Sequence, residues 1–180
     1  ASGGVEPIWR SALPYLSVVA FEPDKREFEN LSLKTSDKYK VILSGLYEKR
    51  DRVIFHLLRT QTSSSIFPPN RPLMDRFPDA KRFDILEQLE INVDSLDNQL
   101  LTNHITDVDF IKLDTQGSEL SILMGAKKSI EQTVLGLEIE VEFLELYKDQ
   151  PLFADVDNFM RQQGFFLFDI AGFCYKRKIG

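Results

Sequence analysis

The sequence predicts an α/β fold, a mostly parallel sheet with helices on both faces and irregular insertions on its ligand-binding edge. Short apolar runs alternate with stretches of helical spacing along most of the chain. Two of these runs, "VVAFE" and "DFIKLD", end on an acid and lead into a helix-start pattern, the place where open α/β sheets bind ligands. The alternation is interrupted by two strand-like segments joined through a Ser- and Pro-rich loop.

The elements follow in order. Val18 to Phe21 is an apolar strand, and "EPDKREFENLSL" places acids early and Phe28 and Leu31 at helical spacing. "YKVILSG" is a second strand ending at Ser44 and Gly45. "RVIFHLL" and "RFDILEQLEI" form a meander around "TQTSSSIFPPNRP". "VDSLDNQL" is a short helix, "VDFIKLD" a buried strand, "SELSILMGAKKSI" a helix and "TVLGLEIEVEF" a strand. "ADVDNFMRQQG" is a helix closed by Gly164, and "FFLFDI" and "FCYKRK" are expected as final antiparallel strands.

Composition narrows the function. The 180 residues, 43% hydrophobic, suffice for one domain with a real core. Apolar stretches such as Leu13 to Phe21 are far shorter than a bilayer span, so no membrane partner is expected. The single cysteine, Cys174, makes no internal disulfide, which fits a reducing, cytoplasmic compartment. The net charge is −6, and residues 91 to 180 carry 8 Lys/Arg against 15 Asp/Glu. A nucleic-acid partner would leave a basic footprint; the one compact basic run, "YKRK" at 175 to 178, reads as a solvated strand. No His/Cys/Asp cluster has metal-ligand spacing, so the chemistry is expected to be metal-independent.

The chain opens "ASGGVEP", and Glu22 follows its glycine pair by about the twenty residues that separate a phosphate-type loop from its ribose-binding acid. Glu22 ends an apolar strand, where an ionised carboxylate accepts hydrogen bonds from two vicinal ribose hydroxyls.

Together "ASGG", "VVAFEPD", "TSSSIF", "VDSLD" and above all "VDFIKLDTQGSELSILMGA" resemble the FkbM-type methyltransferases, a class I family dependent on S-adenosylmethionine. The resemblance implies a Rossmann-like methyltransferase sheet, S-adenosyl-L-methionine as cofactor and O-methylation of a hydroxyl. It matches Ser2, Gly3 and Gly4 to the end of the cofactor's glycine loop and Glu22 to the ribose acid. Ser44 and Gly45 fall where the adenine is framed. Asp114 matches the acid beside the cofactor's methionine end and the acceptor, and Glu119 the acid of a G-x-E element. The family's first strand would precede Ala1, so residues 1 to 180 are expected to be a single methyltransferase domain lacking that strand, a fragment of a longer protein.

Direct displacement from a sulfonium needs an aligned acceptor and benefits from a general base. Asp114 is the first candidate at the reacting centre, although an acid there also caps the following helix. Glu119, in a first helical turn, suits the helix dipole as well as a ligand. In "LEIEVEF" the apolar residues share one face and Glu138, Glu140 and Glu142 the other, so Glu138 or Glu140 is expected to face the acceptor. His104 is a further candidate base, whereas His56 alternates with apolar neighbours and reads as structural.

The expected function is O-methylation of a small-molecule acceptor, a sugar or secondary metabolite. The alternatives are a nicotinamide-dependent oxidoreductase, which leaves "KLDTQGSE" unexplained, and a non-catalytic binding module of the same fold. Oligomeric state leaves no sequence signal.

Overall fold

The computed structural model describes residues 9, 11–33 and 35–172. The expected strands at 18–21, 39–45, 52–58, 82–91, 108–114 and 133–143 all contain a strand, and the expected helices all contain a helix.

β1 (Val18–Phe21) pairs in parallel with β2 (Tyr39–Ile42). Between them α1 (Lys25–Ser32) starts where the Asp24 carboxylate accepts the Arg26 amide at 2.9 Å. The expected second strand splits at Leu43 and Ser44, and its remainder, β3 (Gly45–Leu46), joins another sheet. Gly45 is needed there, because a Cβ would lie 2.8 Å from the Val93 side chain.

β4 (Asp51–Leu58) and β5 (Ile85–Asp94) form the antiparallel meander, with β3 in parallel on the other edge of β5. Their connection holds α2 (Arg71–Met74) and folds over a small core of Leu58, Met74, Phe83, Leu146 and Tyr147. That satellite core fixes the Ser-rich loop beside the segment that follows the last strand.

β6 (Phe110–Leu113) pairs in parallel with β7 (Gly136–Ile139). α3 (Leu96–Thr102) precedes β6, and its Asp97 accepts the Lys128 and Ser129 amides at the start of α5 (Lys127–Gln132). The expected helix after β6 is broken into α4 (Glu119–Met124) and α5. The break falls at Gly125, packed so closely on the Tyr47 carbonyl that a Cβ would stand 2.2 Å from it. α6 (Phe153–Gln162) ends before Gly164 at φ +87°.

The main core gathers Leu96, Leu100, Ile111, Leu113, Ile122, Leu123, Ala126, Ile130, Val134, Val156 and Met160. Burying each such side chain stabilises the fold by roughly 1.5–3 kcal/mol. Phe21 of β1 and Ile139 of β7 pack against this same core.

Two expectations need correction. In place of one sheet there are three hydrogen-bonded sheets among the described residues, β1–β2, β3–β5–β4 and β6–β7. "FFLFDI" forms no strand: residues 165–170 have no ladder partner among the described residues, and Phe166, Leu167, Phe168 and Ile170 are exposed. Its β-type composition is insufficient without a neighbouring edge to hydrogen-bond, and none is present among the described residues. The other final strand, "FCYKRK", with Cys174 and the basic run, lies outside the described residues.

Candidate active site

The β6–β7 register sets Leu113 opposite Ile139, so the next residues, Asp114 and Glu140, leave the sheet side by side. The Glu140 amide donates to the Leu113 carbonyl at 2.8 Å, extending the ladder to that point. Asp114 is exposed and Glu140 half-buried.

From Asp114 the chain turns through residues 115–118 into α4. Two left-handed residues make this turn, Gln116 at φ +58° and Gly117 at φ +110°. Glycine takes such angles freely, whereas glutamine holds them at a cost of about 1 kcal/mol or more. Glu119, 6% exposed, clasps the turn from the helix side. Its Oε1 accepts the Thr115 amide at 2.7 Å and the Thr115 hydroxyl at 3.0 Å, and its Oε2 accepts the Gly117 amide at 2.9 Å. Burial pushes the Glu119 carboxyl above its usual range, while these hydrogen bonds pull the other way.

The Gln116 side chain points at the two acids. Its Nε2 donates to Asp114 Oδ1 at 2.9 Å and to Glu140 Oε2 at 2.5 Å. Its Oε1 lies 2.9 Å from the buried Tyr147 hydroxyl, which is 2.7 Å from the Ser63 carbonyl. The Gln116 carbonyl accepts the Ser65 hydroxyl at 2.7 Å. The Ser-rich loop thus spends its buried hydroxyls on structure, with Ser64 accepting the Leu58 amide and Ser63 the Arg82 guanidinium.

A small pocket, about the size of a water molecule, lies here, lined by Gln116, Gly117, Glu119, Glu140, Glu142 and Gln150 among others. Its electrostatics are those of carboxyls crowded out of water. Burial, then the hydrogen-bonded and charged Asp114, then Glu119 and Glu142, push Glu140 up to about 8. Burial and the charge of Glu119 push Glu142 up to about 7. Glu140 is therefore harder to ionise than an ordinary glutamate and a stronger base once ionised.

The other sequence candidates are placed as follows. Glu22, 6% exposed, directly follows β1, and its Oε1 accepts the Asp24 amide at 3.0 Å. The residue before it, Phe21, packs on the core that also holds Leu113. Ser44 is buried and donates to the Gly45 carbonyl, while Gly45 is locked against Val93. Glu138 lies on β7 itself and accepts Lys112 Nζ across the ladder at 2.7 Å, in a largely exposed ion pair. His104, at φ +57°, sits in the turn that leaves α3, on the segment feeding the start of β6 and not its Asp114 end. Ser2, Gly3 and Gly4 lie outside the described residues. His56 is buried in the meander against Gln88, and burial lowers its pKa.

Sequence reasoning passed over Gln116, Tyr147 and Glu142. Gln116 carried one signal, a long side chain in the glycine turn of "DTQGSE"; Tyr147 carried none, since only the fold of the 59–84 connection brings it in.

Among the described residues no group of three or more His, Cys, Asp or Glu is placed to hold a metal ion. No described helix is long and apolar enough to cross a membrane. A family model described as the methyltransferase FkbM domain matches residues 9–167. No curated protein and no solved structure matches the chain.

Proposed function

Since the chain belongs to the FkbM methyltransferase family, we propose that it moves a methyl group from S-adenosyl-L-methionine to a hydroxyl of a small molecule, a sugar or secondary metabolite. The observation that carries this reading is the paired exit of Asp114 and Glu140 from β6 and β7, bound by one glutamine amide.

The residues present suit that cofactor. Glu22 is a buried carboxylate at a strand end, chemistry fit for two ribose hydroxyls. The charged Asp114 at the end of β6 suits a positively charged sulfur. Glu22 would hold the ribose, and Asp114 would lie beside the methionine end. When bound, S-adenosylmethionine supplies a methyl carbon activated by its sulfonium, whose C–S electron pair stays on sulfur as an oxygen takes the methyl.

Glu140 does the proton work. Ionised, its carboxylate accepts the hydrogen of the acceptor hydroxyl, and its raised pKa makes it a better base than an ordinary glutamate. Asp114, nearer solvent, orients the acceptor. Glu119 holds the turn on which Asp114 sits. Glu138, engaged by Lys112, is the weaker choice for the base.

Calorimetry with S-adenosylhomocysteine tests the first half of the reading; tight binding is expected, and none would remove it. A panel of hydroxylated small molecules, incubated with donor carrying a radiolabelled methyl, tests the second.

A further inference from the structure

Gln116 is held in place from four directions. Its backbone adopts φ +58°, its carbonyl accepts the Ser65 hydroxyl, its Oε1 meets the Tyr147 hydroxyl, and its Nε2 reaches both Asp114 and Glu140. A turn filler needs none of this, and glycine would take the same backbone angle without strain. Nε2 lies 2.9 Å from Asp114 Oδ1 and 2.5 Å from Glu140 Oε2, and an ionised carboxylate only accepts, so the NH2 end of the amide faces the two acids and Oε1 the Tyr147 hydroxyl. An NH2 group has two hydrogens, and here each meets a different carboxyl.

We propose that Gln116 is the positioning residue of this site: one amide ties Asp114 and Glu140 together and turns the oxygens it does not bind, Asp114 Oδ2 and Glu140 Oε1, toward the acceptor. This rests on the methyltransferase reading for its purpose, but the tie itself is testable without any substrate.

The amide opposes the crowding of negative charge. Glu140 is faced by Asp114 from the end of β6, Glu119 from α4 and Glu142 from its own loop, while Lys112 and Glu138 pair with each other across the ladder. Each of those acids makes ionisation of Glu140 harder, and a hydrogen donated to Glu140 Oε2 makes it easier. Removing the amide therefore moves the loss of the Glu140 proton to higher pH.

The experiment is a carboxyl 13C NMR titration of the full chain, wild type against Gln116→Gly, with Gln116→Met as a second variant of similar length. Gln116→Gly relieves the backbone strain but gives up the side-chain hydrogen bonds, so the two effects oppose each other and Tm is measured to confirm that the variant is folded. Its Glu140 resonance should titrate about one pH unit higher, the size of one lost charged hydrogen bond. Gln116→Met should shift the midpoint in the same direction, and Tyr147→Phe should do so by less. A Glu140 midpoint unmoved in both Gln116 variants would overturn the proposal, as would a downward move. S-adenosylhomocysteine binding by the wild type is read separately: its failure counts against the methyltransferase reading alone, whereas binding with an unmoved Glu140 counts against Gln116 alone.

Discussion

Asp114 and Glu140 stand side by side because Leu113 and Ile139 are register partners in neighbouring parallel strands. Two acids so placed separate by environment: one is exposed, the other crowded and pushed up to about 8. Asp114→Asn keeps the shape and one acceptor oxygen but replaces the other with an NH2 donor and removes the charge. Methyl transfer should fall roughly 10- to 100-fold as a positioning acid is lost, with cofactor affinity changing much less. A split between kcat and the S-adenosylhomocysteine dissociation constant checks this.

Glu138 is the contrasting case. Its exposed pair with Lys112 contributes about 0–1 kcal/mol. Glu138→Gln should therefore leave kcat within about twofold and lower stability by less than about 1 kcal/mol. Chemical denaturation and initial rates together decide it.

Stability should depend on pH in an unusual direction for carboxyl groups. Glu140 rises from its ordinary 4.5 to about 8 on folding, and Glu142 to about 7, so between these values the folded chain binds more protons than the unfolded one. Stability then falls as pH rises. From these two groups, Tm should drop as pH goes from about 5 to about 8, and the drop should be smaller in Glu140→Gln. A calorimetric series across that window gives the slope.

Glu119→Ala removes the acceptor for two backbone amides and a hydroxyl in a buried turn. It should cost about 2–4 kcal/mol of stability and scramble the turn carrying Asp114 and Gln116. Urea denaturation measures the first effect. Gly125→Ala should be destabilising for a different reason, because its new Cβ would meet the Tyr47 carbonyl at 2.2 Å.

If Glu22 holds the ribose as proposed, Glu22→Ala removes charged hydrogen bonds worth about 1.5–3 kcal/mol and should weaken S-adenosylhomocysteine binding by roughly ten- to over a hundredfold. Calorimetry on the folded variant reads this directly.

Strand and helix periodicity made most of the fold legible, down to the strand end that carries Asp114. The misses have physical causes. The helix broken at Gly125 reads as continuous because the close approach of Tyr47 comes from far along the chain. "FFLFDI" reads as a strand because composition reports what a segment would do beside an edge, and residues 165–170 meet none among the described residues. At the candidate site, the alternating acids of "LEIEVEF" drew attention to β7 but could not separate Glu138 from Glu140. That separation depends on Lys112 lying opposite Glu138 and on Gln116 reaching Glu140. Tyr147 was hidden entirely, since a 25-residue-scale connection must fold before it touches Gln116.

The central claim is that Glu140 receives the proton when a hydroxyl is methylated. Its most direct test is the rate of label transfer from methyl-labelled S-adenosylmethionine to an accepted hydroxyl compound, in wild type and Glu140→Gln, across pH. The account predicts a wild-type rate climbing through about pH 8 and a variant slower by roughly 10²- to 10⁴-fold with that climb gone. Equal rates and the same pH dependence in both proteins would contradict it.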